Sequence, residues 1–205
     1  MPKRVDHEAR RTQIAEALLR LASEGGLEAV TLRDVATEAG LSMGAVQHYF
    51  NSKDAMLLHA LDHVNRRAEQ RIRHRLEEMP QPSPREVLRA LMLEMLALTE
   101  ESRQEFLTFV AFTLRAVNSA ELAASYRKFW PELEKLVSDL LRSAREAGAL
   151  VRDVDPEREA EILLAVPDGL SVGLLLGHRS RQQAIDTVDY YLDGLFGQPD
   201  QPERS

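Results

Sequence analysis

Residues 31–54 read TLRDVATEAGLSMGAVQHYFNSKD, and this stretch leaves the chain little freedom of fold. Leu32, Val35 and Ala36 mark the apolar stripe of a short helix, and Thr31 stands where a cap is needed. Gly40 ends that helix, because glycine turns through a left-handed backbone at no steric cost. Leu41 fills the turn, and Ser42 can cap a second short helix. On that second helix Val46 and Phe50 point inward. Met43, Gly44, Ala45, Gln47 and His48 are left facing outward. Two short helices joined by a tight turn are the layout of a helix-turn-helix, whose second helix fits the major groove of DNA. Small residues at 44 and 45 allow such a helix to approach a crowded surface.

The run Thr31-Leu32-Arg33-Asp34-Val35-Ala36, then Ala39-Gly40-Leu41-Ser42, Gly44, His48-Tyr49-Phe50 and Ser52-Lys53 closely resembles the DNA-binding domain of the TetR family of one-component regulators. The resemblance covers residues 10 to 58. It implies an all-α fold in which a three-helix head is joined by a long helix to a C-terminal helical bundle for ligand binding and dimerisation. One position departs from the family pattern: residue 47, usually aromatic, is Gln here. A glutamine amide can bond an adenine edge where a ring would stack or touch a phosphate. The outward face and the resemblance together give a DNA-contact set of Thr31, Arg33, Ser42, Met43, Gly44, Ala45, Gln47, His48, Tyr49 and Lys53.

Charge argues mildly the other way. The chain carries a formal net charge of −7 and a sequence pI near 5.4. Residues 1–50 hold six Lys or Arg against seven Asp or Glu, so the head is not basic overall. Basic groups are local instead, at Lys3, Arg4, Arg10, Arg11, Arg33 and Lys53. Net charge governs long-range steering more than local contacts, so few phosphate contacts per subunit are expected, with dimerisation supplying the rest of the affinity. With no cysteine there is no disulfide framework and no thiolate metal site. No apolar run is long enough to span a membrane, and the start MPKRVDHEARR lacks the apolar stretch of a secretory signal. A cytoplasmic location is expected.

Helix signals recur along the chain and strand signals do not. A first helix is expected from Asp6 to Gly25-Gly26. Ser52 opens a long fourth helix running towards Met79, and Pro80-Gln81-Pro82-Ser83-Pro84 breaks it. Ser83 with Glu86, and Ser102 with Glu105, read as capping boxes. Asn118 or Ser119 opens a helix with the stripe Leu122, Tyr126, Phe129, Leu133, Leu136, Leu140 and Ala144, which Pro131 should kink or restart. Asp155-Pro156 and Ser180 open the last two helices, making nine. The domains expected are 1–52 for DNA binding, 53–197 for ligand binding and dimerisation, and 198–205 as a disordered tail, with the boundary between head and body lying within the fourth helix.

Val87, Leu88, Leu91, Met92, Leu93, Met95, Leu96 and Leu98 wrap most of one helix, and Phe106, Phe109, Val110 and Phe112 follow on the next. Ordinary core accounts for any one of these side chains. The cluster as a whole, rich in adaptable Met and Phe, suggests walls around a small molecule. The ligand set expected is Met92, Met95, Leu96, Phe106, Phe109, Thr113, Tyr126, Trp130 and Asp168. Gly169, Gly173 and Gly177 recur every fourth residue and so suggest close approach of another helix. With Ile185, Val188, Leu192 and Leu195 they form the expected dimer interface.

An enzyme reading has little to stand on. His59 and His63 are spaced for a shared metal, but no third ligand is evident and a solvated face explains them. There is no nucleophile elbow and no phosphate-cradling loop. No catalytic residue, metal or cofactor is expected. The chain therefore reads as a homodimeric repressor that binds a palindromic operator in double-stranded DNA and is released by a small apolar or aromatic effector. The alternative is a helical small-molecule binding or interaction module whose helix-turn-helix no longer reads DNA. The acidic balance favours that alternative, and the intact turn and caps oppose it.

Overall fold

The computed structural model describes residues 2–26 and 29–197, without the side chains of 2–6 and 23–25. The described residues form nine helices and no strand: α1 Pro2–Gly25, α2 Leu32–Glu38, α3 Met43–Tyr49, α4 Lys53–Glu77, α5 Pro84–Glu94, α6 Glu100–Ala116, α7 Ala120–Glu146, α8 Pro156–Leu175 and α9 Arg181–Phe196. None is long and apolar enough to cross a membrane. The chain splits into two compact units. One holds Met1–Gln70 with Arg103–Arg127, the other Arg71–Ser102 with Lys128–Ser205. Packing therefore divides α4 after Gln70, and α6 and α7 likewise contribute to both units. The tail 198–205, expected to be disordered, lies outside the described residues, as do the side chains of Lys3 and Arg4.

Caps set most of the helix ends. Ser52 Oγ accepts from Ala55 N–H at 3.0 Å at the start of α4. Ser83 and Glu86 form a reciprocal box with Pro84 in the first turn of α5, and Ser180 and Gln183 do the same for α9. Asp155 accepts from Glu157 and Arg158 N–H ahead of α8. Two starts differ from expectation. Helix α1 begins at Pro2 rather than Asp6, since a proline suits the first turn, where no N–H is needed. Helix α6 begins at Glu100, because Thr99 and not Ser102 is its cap. Ser102 N–H donates to Thr99 Oγ1 at 3.1 Å and Thr99 N–H to Ser102 Oγ at 2.9 Å, so Ser102 holds the place expected for Glu105.

The first unit packs around Ile14, Leu18, Val35, Val46, Phe50, Met56, Leu57, Phe112 and Leu122. In the second, α9 packs on α5 and α8 around Leu88, Met92, Leu96, Val137, Leu141, Leu163, Leu164 and Leu192. Ion pairs fasten α5 to α9: Arg85 Nη2 to Asp193 Oδ1 at 2.5 Å, and Arg89 to both oxygens of Asp189 at 2.6 and 2.9 Å. That pairing holds the Asp189 carboxyl below the usual range. Tyr191 on α9 donates to the buried Glu159 of α8, which also takes Arg152 Nη2 at 3.1 Å.

Three sequence expectations fail here. Helix α5 stops at Glu94, so Leu96 and Leu98 are not on it. The turn that follows is held from α8, where the buried Ser171 Oγ accepts from Ala97 N–H at 3.1 Å. Pro131 does not restart the helix, since α7 runs through it as one element. Nor does the α7 stripe hold along its length. Leu122 and Ala144 at its ends are buried, but Phe129 and Leu136 are exposed, and Val137 and Leu141 are buried in their place. Each of these lies one residue on from a stripe position, about 100° further round the helix, so the buried line is offset from the expected one.

Candidate functional site

The helix-turn-helix is set by local bonds. Asp34 N–H donates to Thr31 Oγ1 at 3.2 Å, and Thr31 N–H returns a bond to the Asp34 carboxylate at 2.8 Å. The Thr31 hydroxyl and amide together hold the Asp34 carboxyl below its usual range. Gly40, at φ 66°, then reverses the chain. Leu41 N–H reaches Ala36 O at 2.8 Å and Gly40 N–H reaches Thr37 O at 3.0 Å, the paired closing bonds of a left-handed helix end. Ser42 Oγ accepts from Ala45 N–H at 3.1 Å and opens α3. From α1, Gln13 Nε2 donates to Ala39 O at 2.7 Å, while Arg20 pairs with Glu38 at 2.6 Å. Nothing in the sequence pattern singled out Gln13, because its partner is a backbone carbonyl 26 residues away.

With Val46 and Phe50 buried beneath, α3 turns Met43, Gly44, Gln47 and His48 outward. Thr31, Arg33 and Ser42 are also exposed, and Ala45, Tyr49 and Lys53 are half-buried. Seven of the ten candidate DNA-contact residues thus lie on α3 or at its cap, Thr31 and Arg33 lie at the start of α2 and Lys53 at the start of α4, and none is fully buried. A Cβ placed on Gly44 would meet nothing within 4 Å. Packing within the chain therefore does not require glycine there.

Around this face lie contacts that the sequence did not reveal. Arg11 sits over the Phe50 ring at 4.9 Å, and the Phe50 and His59 rings are 5.5 Å apart. The expectation of a solvated face for His59 and His63 is overturned. Both Nε2 atoms are buried without a hydrogen-bond partner, and His63 Nε2 is 3.7 Å from Glu16 Oε1. Burial lowers both imidazole pKa values. At the start of α4, Asp54 takes Arg115 Nε at 2.5 Å and Ser119 Oγ at 3.2 Å.

The effector candidates divide between the units. In the first, Phe106 is buried, Phe109 and Tyr126 are half-buried, and the two phenylalanine rings are 6.2 Å apart. Thr113 is exposed, and its hydroxyl donates to Phe109 O in its own helix at 2.9 Å. That bond occupies the hydroxyl's proton. In the second unit Met92 and Leu96 are fully buried, and Met95 and Trp130 pack half-buried against the same core. Asp168 lies on the inner face of α8, on the line that joins the buried Leu164 and Ser171. Burial pushes its carboxyl pKa up to about 6. Two surface hollows in this unit are lined by charged groups such as Lys135, Asp139, Arg142 and Glu157, and by none of the effector candidates.

The residues expected at the dimer interface fall in different surroundings. Val188, Leu192 and Leu195 are wholly buried in the chain's own core, and Ile185 is half-buried. Gly173 is buried beside Arg179, whose Cδ would stand 3.3 Å from an added Cβ. Gly177 lies past the end of α8 at φ 68°, where His178 N–H bonds Gly173 O at 2.9 Å and Gly177 N–H bonds Leu174 O at 3.1 Å. Its glycine serves that turn. Only Gly169 is exposed on the helix itself. It sits in a different stripe, Ile162, Ala165, Gly169, Val172 and Leu176, all exposed and spaced alternately by three and four. On α9 Tyr190 is 80% exposed. A seam and a core stripe have the same periodicity, so sequence could not tell them apart.

Residues 14–60 match the family model of bacterial regulatory proteins of the tetR family, and residues 84–197 match that of the BetI-type transcriptional repressor C-terminal domain. The chain is 36% identical over 177 residues to the HTH-type transcriptional regulator PksA of Bacillus subtilis, covering 86% of this chain and 83% of that protein. It is 35% identical over 198 residues to the HTH-type transcriptional regulator BetI of Burkholderia lata, covering 96% and 98%. Among solved structures it is similar to a putative transcriptional regulator of Saccharomonospora viridis in complex with choline, with TM-score 0.82, 25% identity and coverage of 93% and 99%.

Proposed function

The chain belongs to the TetR family of transcriptional regulators, and from that premise we propose that it is a homodimeric repressor, acting in the cytoplasm on a palindromic operator and released by a small molecule. Residues 1–52 serve as the DNA-reading head and 53–197 as the effector and dimerisation part. The observation that carries the DNA reading is the outer face of α3. Met43, Gly44, Gln47 and His48 are exposed while the opposite side of the helix is locked into the core. The exposed stripe of α8 supports a dimer, because its three-and-four spacing suits helix-to-helix packing and one short recognition helix reads too few base pairs alone.

The effector is apolar or aromatic in this reading, supported by the Met, Leu and Phe content of α5 and α6. A second reading, a compact organic cation, is favoured by one group. The Asp168 carboxyl lies among apolar neighbours, where desolvation disfavours its charge. A bound cation would offset that cost, and the Saccharomonospora viridis regulator holds such a molecule, choline. The test is fluorescence anisotropy of the full chain on the DNA upstream of its own gene, at fixed salt, titrated with choline or with uncharged aromatic compounds. Release by the aromatics supports the first reading and release by choline the second. Release only by anionic, highly polar metabolites would contradict both, and failure to bind that DNA in preference to unrelated sequence would contradict the repressor assignment.

A further inference from the structure

We propose that His7 is a positioning residue for operator binding, acting through Tyr49; the proposal rests on the DNA-binding reading above. Tyr49 is the last residue of α3 and is half-buried. Two imidazoles pack against its ring. His7, on α1, lies 4.7 Å from it between centroids, tilted by 60°. His48, its neighbour on α3, meets it edge-on at 5.3 Å and 78°. Both imidazoles are exposed, so neither contact arises from burial in the core. Among the described residues, none takes the Tyr49 hydroxyl in a hydrogen bond.

A tyrosine side chain has two torsions. Two imidazoles against the ring restrict those torsions, and so restrict where the hydroxyl, which takes no hydrogen bond among the described residues, can stand at the end of the recognition helix. Tyrosine hydroxyls are among the groups that donate to phosphate oxygens and fix a protein's register on the duplex. His48 comes with the helix itself, so the contact from outside it is His7. That contact ties the first turns of α1 to the end of α3. The arrangement makes the loss from removing His7 depend on the hydroxyl it holds in place.

The test uses the full chain on the DNA upstream of its own gene, with dissociation constants measured over a salt series for the wild type, His7→Ala, His7→Phe, Tyr49→Phe and the double variant His7→Ala/Tyr49→Phe. His7→Ala is expected to weaken binding by about 2- to 10-fold, the range of one aromatic pair. The slope of log K against log salt should not change, because a neutral hydroxyl releases no counterion. His7→Phe keeps the ring contact and should bind within about twofold of wild type. In the Tyr49→Phe background His7→Ala should cost nothing further, since the hydroxyl it would position is gone. A slope reduced by about one would make His7 a direct phosphate contact and overturn the proposal. So would additive losses in the double variant, or a His7→Phe as weak as His7→Ala. A wild type that does not bind the DNA fails the regulator reading itself, whereas a binding wild type with an indifferent His7→Ala fails this inference alone.

Discussion

The residues proposed to read DNA sit on the outside of a frame made by residues that bond each other. Gln47 illustrates the first kind. It is exposed on α3, and its amide can make a bidentate contact with a base. Gln47→Ala is expected to change base preference at one position, by about 1–3 kcal/mol on the preferred sequence and little on others. Equal loss on every sequence in a randomised-site binding assay would refute base reading. Lys53 is half-buried beside the helix, and Lys53→Ala should weaken all sites alike and lower the salt slope by about one. Asp168 offers a pH signature. Its folded pKa is raised to about 6 from an ordinary 3.8, so the folded state holds the proton more tightly and this group's contribution to stability falls as pH rises through that window. Asp168→Asn removes the effect. Thermal melts should show the variant gaining on wild type as pH goes from 5 to 7.5, and a pH-independent difference would show that the carboxyl is not desolvated in solution.

At the scale of elements, what could be read from sequence was what is local. The box Ser83–Glu86, the caps Asp155 and Ser180 and the turn at Gly40 join residues two to five apart, and each stands where expected. What could not be read depended on which neighbour an apolar residue meets. Leu192 and Leu176 both fit a helical stripe, yet one is fully buried in the chain's own core and the other is 78% exposed. His59 and His63 look solvated on a charged helix because the α1 residues near them, such as Arg11 and Glu16, are almost fifty positions away. The glycines of α8 show the same ambiguity within one motif, since Gly177 serves a turn and Gly169 lies on an open face. This separates two variants. Gly177→Ala should cost on the order of 1 kcal/mol of stability in denaturant melts, because its left-handed backbone penalises a Cβ, and should leave assembly intact. Gly169→Ala meets no atom of its own chain and avoids that penalty. A Gly177→Ala as stable as wild type would contradict the turn assignment.

For the whole molecule, the acidic charge of −7 is reconciled with DNA binding if two heads act together. Each subunit then needs few phosphate contacts, and assembly supplies the rest. The exposed α8 stripe is where that assembly is expected to form. Val172→Glu puts a charge in the middle of the stripe, on a side chain that the chain's own core does not use. The variant should stay helical by circular dichroism, sediment as a monomer and lose operator affinity by at least tenfold, an order of magnitude for one unpaired charge in an interface. A dimer of unchanged mass would move the interface elsewhere. Footprinting of the wild-type chain on the DNA upstream of its own gene at stated salt, with the stoichiometry measured by sedimentation, decides whether a paired head reads this DNA. Two chains, or a multiple of two, are expected on a protected site with dyad symmetry, its half-sites spaced by about one helical turn or a multiple of it. Protection without dyad symmetry, or equal affinity for unrelated DNA, would contradict that reading.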